Sequence, residues 1–462
     1  MSALSNSAAR DVESLLHPFT NLATFRDTGS MVISGGKGIY VFDEHGREYI
    51  EGMSGLWCTS LGFSNEELID AATAQMRQLP YYHQFSGKSH DPGIALAEKL
   101  KDMAPVPMSK VFFTNSGSEA NDSQVKFAWY FNNALGRTKK KKIISRQKAY
   151  HGVTVMAASL TGLPNLHRDF DLPIAPVLHT SCPHFWREGR DGESELEFSA
   201  RLASDLEALI AREGGDTIAA FIAEPIMGAG GVIVPPKGYF EAIQPILDAH
   251  DILMIDDEVI CGFGRTGNDF GARTFNMRPD SISVAKALSS AYLPIGAVMI
   301  SERMYQAFLD ESRKLGAFGH GYTYSGHPVS AAVALKTLEI YERERIFDHV
   351  RQVAPKFQAR LKALRDHPLV GETRGVGLIG AIELVADKRA KRSFAPSVGI
   401  APKGVIHAQR EGLITRAIVE TLALCPPLVI TEPEIDELFD RMTRALNSLE
   451  AEAVQGKWRE MI

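Results

Sequence analysis

Short apolar runs, each followed by small or polar residues, recur through the middle of the chain: Val111 to Phe113, Ile143-Ile144, Ala219 to Ile222, Ile252 to Ile255 and Ser281 to Val284. Runs this short, rich in Val, Ile and Phe, predict strands buried on both faces. Leu68 to Leu79 and Ala95 to Lys101 space their apolar residues as helices do, and a further helix is expected from Glu119 onward. Alternation of the two patterns over residues 66–330 predicts an α/β large domain, a mostly parallel sheet wrapped by helices. The chain ends read differently. Gly38 to Ile50 alternates around an Asp43-Glu-His-Gly46 turn, which predicts a β-hairpin. Arg410 to Leu413, Arg416 and Leu424 to Ile430 form an αβ segment, closed by a helical run from Glu432 to Glu450. Residues 1–65 and 331–462 are therefore expected to combine into a smaller α+β domain.

The candidate chemistry sits where the predicted strands end, the edge at which open α/β sheets place ligands. Ile252 to Ile255 delivers Asp256, Asp257 and Glu258, and Ser281 to Val284 leads into Lys286. An amine beside small residues in a partly buried position has a lowered pKa and becomes nucleophilic. A carboxylate and a lysine at neighbouring strand ends suit a cofactor with a basic ring nitrogen and an aldehyde, as in pyridoxal phosphate. Val111 to Ala120 adds a β run, a Ser116-Gly-Ser118 turn and a helix start, which together offer backbone N–H groups and hydroxyls to a phosphate. Gly375 to Gly380 fits GxGxxG, but Ala381 to Val385 after it is strand-like, so the dinucleotide reading fails on context.

Asp257-Glu-Val-Ile-Cys-Gly-Phe-Gly-Arg-Thr-Gly267 and Ala285-Lys-Ala-Leu-Ser-Ser-Ala-Tyr-Leu-Pro-Ile-Gly296 closely resemble the class III aminotransferases, in their ω-amine:pyruvate branch. The likeness runs from about Phe19 to Pro427. It implies a fold-type I transferase that uses pyridoxal 5'-phosphate to move an amino group from an amine or ω-amino acid to pyruvate or a similar keto acid, in ping-pong fashion. By the same resemblance Lys286 is the Schiff-base lysine, Asp257 the partner of the ring nitrogen, and Val259 packs under the ring. Tyr150 stacks on the ring, Glu224 lies near its phenolic oxygen, and Ser116, Gly117 and Ser118 form the phosphate cup. Thr323, with Tyr322 beside it, reaches the phosphate of a neighbouring subunit, which implies a homodimer and leaves a tetramer open. Trp57 and Phe85 face the substrate, joined by Phe19, Tyr150 and Arg416. Ala229 stands in Met227-Gly-Ala-Gly230 where relatives acting on ornithine or γ-aminobutyrate commonly carry a glutamate that gates an arginine. An ungated, more apolar pocket is implied. Asp256 stands where relatives often have a small residue, so the choice between Asp256 and Asp257 stays open.

Composition excludes several alternatives. The chain has 462 residues, is 45% hydrophobic and 23% charged, and carries a formal charge of −6, which gives no basic footprint for nucleic acid. Lys139 to Lys142 reads as a solvated turn. Cys58, Cys182, Cys261 and Cys425 lack a CxxC spacing, and His179 to His184 lacks a fourth ligand, so neither disulfides nor a metal site is expected. No apolar run approaches the roughly 20 residues of a membrane helix, and the beginning of the chain lacks the pattern of a secretory signal. These features predict a cytoplasmic protein. Two rivals remain: an aminomutase or decarboxylase of the same fold, and a catalytically silent ligand-binding relative. The intact set of Lys286, Asp257 and Glu224 speaks against the second.

Overall fold

A computed structural model describes residues 4–461. Its centre is a seven-stranded sheet in the order 110–114, 296–300, 281–284, 253–257, 218–223, 142–146 and 177–180. Gly296–Ile300 runs antiparallel to both neighbours, and the remaining pairs from Ser281–Val284 to Val177–Thr180 are parallel. Ile218–Ala223, Leu253–Asp257 and Ser281–Val284 are buried at every position. That is the signature of strands covered on both faces, and it explains why their sequences read as unbroken apolar runs.

Helices begin where their caps dictate. Ser116 accepts a hydrogen bond from the Glu119 N–H, so the helix following the first strand runs Gly117–Ala134 and starts two residues before the expected Glu119. His90 caps Asp91–Met103, with Pro92 in the first turn, so this helix also starts ahead of its apolar pattern.

The predicted hairpin is present. Tyr40–Asp43 pairs with Glu48–Glu51, and Asp43 Oδ1 accepts the His45 and Arg47 N–H groups across the turn. Ile33–Lys37 adds an unforeseen third strand, and Leu413–Ile414 joins the same sheet parallel to Glu48–Glu51. The two chain ends therefore meet in one sheet. A third sheet orders 370–376, 379–384, 421–424 and 416–418. The GxGxxG stretch is its first hairpin, with Gly377 at φ 60° beside the Arg265 and Thr266 backbone.

The lysine run is not a solvated turn throughout. Lys140 is buried, and its Nζ donates to the His250 and Asp251 carbonyls. These carbonyls follow the helix Tyr239–Ala249, where a cation is favoured. Among the described residues no helix is long and apolar enough to cross a membrane.

Candidate active site

Four strands of the central sheet direct side chains into one cavity of about 400 Å³. Asp257 ends one strand, Glu224 follows the next, Tyr150 lies beyond Lys142–Arg146, and Lys286 follows Ser281–Val284. The cavity is also lined by Phe19, Trp57, Ser116, Gly117, Ser118, Ala229, Val259 and Arg416.

Strand alternation separates the two neighbouring aspartates. Asp257 lines the cavity, and Asp256 is fully buried away from it. Asp257 Oδ2 accepts from Asn121 Nδ2 at 2.7 Å and from His151 Nδ1 at 2.7 Å, while Oδ1 accepts from the Val259 N–H at 3.1 Å. A carboxylate so supplied with donors is held in one orientation. Asn121 and His151, both buried, were not foreseen as site residues. His151 stands beside Tyr150 in the sequence and Asn121 lies one turn beyond Ser118, but only the packing of the helix on the strand ends makes them neighbours of Asp257.

Lys286 opens a short 3₁₀ turn in the left-handed region, at φ 50°. Burial lowers its pKa, and the charges of Asp257, Cys58, Glu224 and Cys425 oppose that shift. The result is an amine more readily neutral, hence more nucleophilic, than a surface lysine. Glu224 accepts the Tyr150 N–H on Oε1 and the Gly228 N–H on Oε2, both at 3.0 Å. Its pKa is raised, first by burial and then by repulsion from Asp257, against the attraction of His151.

The start of the Gly117–Ala134 helix forms the opposite wall. Ser116 Oγ is spent on the Glu119 N–H, and Ser118 Oγ accepts the Val153 N–H at 3.2 Å. The Gly117 and Ser118 N–H groups stand in the first turn, where an α-helix gives its donors no internal partner. Gly117 has to be glycine because a Cβ there would meet Val259 Cγ1 at 2.8 Å.

At the outer end, Trp57 is buried at φ 67° within the kinked turn Ser54–Trp57, and the neighbouring Leu56 also faces the cavity. Ser54 Oγ anchors this turn on the Cys425 carbonyl at 2.7 Å. Arg416 lies on the strand Arg416–Ile418, with its guanidinium 6.0 Å from the Phe19 ring centre. Burial lowers its pKa, and among the described residues it forms no ion pair. Ala229 lines the cavity from the Met227-Gly-Ala-Gly230 segment.

Three expected residues do not reach this cavity within the chain. Phe85 sits in a 3₁₀ turn on the surface, pressed against Gly321, and is 46% exposed. Within one chain the turn carrying it packs on the 319–327 loop and not beside Trp57. Thr323 is exposed on that loop, and Tyr322 turns inward, its hydroxyl donating to the Glu119 carbonyl. Elsewhere, folding brings His184 to Glu372 and Glu383, a grouping no sequence spacing suggested. Arg374 and Arg187 pair with these acids, which makes the cluster an ion-pair network.

The model of the family described as aminotransferase class-III matches residues 24–446. The chloroplastic γ-aminobutyrate transaminase 3 of Solanum lycopersicum is 51% identical over 437 residues, 94% of this chain and 84% of that protein. The mitochondrial γ-aminobutyrate transaminase 1 of Oryza sativa subsp. japonica is 50% identical over 444 residues, 96% of this chain and 86% of that protein. Among solved structures, the omega transaminase of Pseudomonas jessenii in complex with PMP is 52% identical with a TM-score of 0.96, covering 98% of this chain and 100% of that one. A transaminase with L-alanine is 56% identical with a TM-score of 0.90, covering 91% and 100%.

Proposed function

Because this chain belongs to the class III aminotransferases and is a pyridoxal-phosphate-dependent transaminase, we propose that it moves the amino group of an amine or ω-amino acid onto pyruvate or a comparably small keto acid, working as a homodimer. The donor set fits the cofactor. A hydrogen-bonded carboxylate suits a protonated ring nitrogen, first-turn N–H groups suit a phosphate, and a buried, more readily neutral lysine suits an aldehyde. Bound there, pyridoxal phosphate supplies an electron-accepting ring and a carbonyl that takes up the amine.

The chain's own residues do the rest. Asp257, held by Asn121 and His151, would sit against the ring nitrogen, Val259 and Tyr150 would hold the ring between them, and the Gly117 and Ser118 N–H groups would hold the phosphate. Lys286 Nζ would accept and hold the proton leaving the substrate carbon, a role suited to an amine whose pKa burial has lowered.

The observation that carries the substrate reading is Arg416, half-buried at the cavity with no acid restraining it. One pocket must accept a keto acid's carboxylate in one half-reaction and the donor's substituent in the other. A guanidinium holds a carboxylate bidentately, and its stem lets the charge swing aside for an apolar group bounded by Trp57 and Phe19. The relative solved with L-alanine supports the pyruvate half. The relatives named for γ-aminobutyrate support an ω-amino acid among the donors, whose carboxylate Arg416 also suits. They weigh against reading the glutamate's replacement by Ala229 as exclusion of such donors.

Single-turnover kinetics of the two half-reactions test this. Arg416→Ala is expected to lower kcat/KM for pyruvate and alanine about tenfold or more, as loss of a charge-assisted pair of about 1.5–3 kcal/mol does. An uncharged amine should lose much less. Equal losses for both would reduce Arg416 to a structural role, and no alanine formed from pyruvate with any donor would refute the acceptor.

A further inference from the structure

The cavity uses Asp257 and leaves two further acids of the same stretch, Asp256 and Glu258, on the reverse side of the strand. Both are fully buried. Glu258 is committed: its Oε2 accepts the Gly271 N–H at 3.0 Å, its Oε1 accepts the Ala272 N–H at 2.6 Å, and its own N–H donates to Ser283 O. It thereby ties the turn that follows Asp257 and carries Val259 to the helix start at Gly271. Asp256 is the opposite. Neither carboxyl oxygen finds a hydrogen-bonding partner among the described residues, and the acid beside it on this side of the strand is Glu258. A fully buried carboxyl with no donor to solvate it is favoured in its protonated form, which can itself donate to a neighbouring carboxylate.

Charge leads to the same answer. Arg146 is 1% exposed and gives Nη2 to the Glu224 carbonyl, while its Nε finds no acceptor among the described residues. It lies against the rings of Tyr239 and Phe240. Arg146, Asp257 and Cys261 are the other charged and titratable groups acting on or beside the two acids. Ionising both would bring like charges together without a solvating donor.

We propose that Asp256 keeps its proton in the folded enzyme and donates it to Glu258, so that the two acids carry one negative charge and together position the strand end that presents Asp257. Asp256 is a positioning residue: it acts through Glu258 and touches neither cofactor nor substrate. Burial first, then the neighbouring Glu258, pushes Asp256 well above the usual carboxylate range, and Glu258 is raised to about 7. The proton belongs on Asp256 because both Glu258 oxygens already accept N–H groups.

The consequence for stability has a definite sign. An acid whose pKa is higher folded than unfolded holds its proton where the unfolded chain has lost it, so stability falls as pH rises between the two values and levels off above the folded one. Asp256→Asn keeps a donor toward Glu258 and cannot ionise. Its melting temperature, measured on the holoenzyme, should therefore gain on wild type by a few degrees as pH rises above about 4, the ordinary aspartate value, with turnover near neutrality within a few-fold of wild type. Infrared spectra give the direct readout. Wild-type holoenzyme should show a protonated-carboxyl stretch that shifts on ¹³C-aspartate labelling and is missing from Asp256→Asn. Parallel melting profiles for the two proteins would overturn the proposal. So would the absence of a label-sensitive band in wild type, a result that requires no variant to fold.

Discussion

Two regions of the molecule carry the residues singled out for function, and they are built on opposite terms. At the strand ends, Asp257, Glu224, Lys286 and the helix start at Gly117 are enclosed, and both carboxylates have backbone or side-chain donors. Along the outside, Tyr81, Tyr82, Phe85 and Tyr324 are each more than a third exposed, and Tyr81 donates its hydroxyl to the Thr323 carbonyl. Tyr81 also packs edge-on against Tyr324 at 5.7 Å. Water is an expensive neighbour for such a strip. The first region is enclosed within the chain, whereas the second would gain its purpose if a second copy of the chain covered it, the assembly proposed above.

The sharpest way to break this contrast is to remove the amine. Lys286→Ala should abolish transamination and the visible absorbance of purified enzyme, because among the described residues no second lysine lines the cavity. Turnover at the wild-type rate would show that the enclosed region is not the reaction bed.

Next in size is Asp257→Asn. The amide keeps the shape but cannot hold a positive charge on the ring nitrogen, so the rate should fall by about two orders of magnitude or more with folding largely preserved. Circular dichroism and single-turnover rates read the two separately. Asp256→Asn is the control, and a larger loss there would reverse the assignment of the two neighbours.

The two regions were also unequally legible in the sequence. Strand ends announce themselves: a short apolar run followed by an acid or a lysine marks the element and the sheet edge it reaches, and Asp256 with Asp257, Lys286 and Glu224 were placed at that edge in this way. What such runs do not carry is the alternation phase at their close. The strand extends through Asp257, and Asp256 therefore faces away from the cavity. Asn121 and His151 escaped notice because their partner, Asp257, lies more than a hundred positions along the chain. Lys140 was misread because a run of lysines looks solvated unless the two carbonyls waiting for it, from His250 and Asp251, are in view. Phe85 raises a different question. Its residue type suits a substrate pocket, but composition and periodicity do not say to which side of a surface turn a ring belongs, or to which copy of the chain.

The smallest expected effect tests that last point. In the proposed dimer Thr323 gives its hydroxyl to the phosphate in the partner's site, one hydrogen bond to a charged group of about 1.5–3 kcal/mol. Thr323→Ala should thus weaken cofactor retention by roughly ten- to a hundredfold, with little change in turnover at saturating cofactor. The loss alone does not tell which subunit's site is served, but mixed dimers do. When Lys286→Ala chains are combined with Thr323→Ala chains, a hybrid contains one site with the intact lysine of one chain. If Thr323 acts across the interface, that site also receives the other chain's intact threonine and retains cofactor as wild type does. If it acts within its own chain, the same site lacks the threonine and releases cofactor as readily as the Thr323→Ala homodimer. Cofactor release followed by absorbance after dilution of the hybrid decides between the two. Release at the single-variant rate, or full activity from a monomer, would leave the exposed aromatic strip without the role proposed for it.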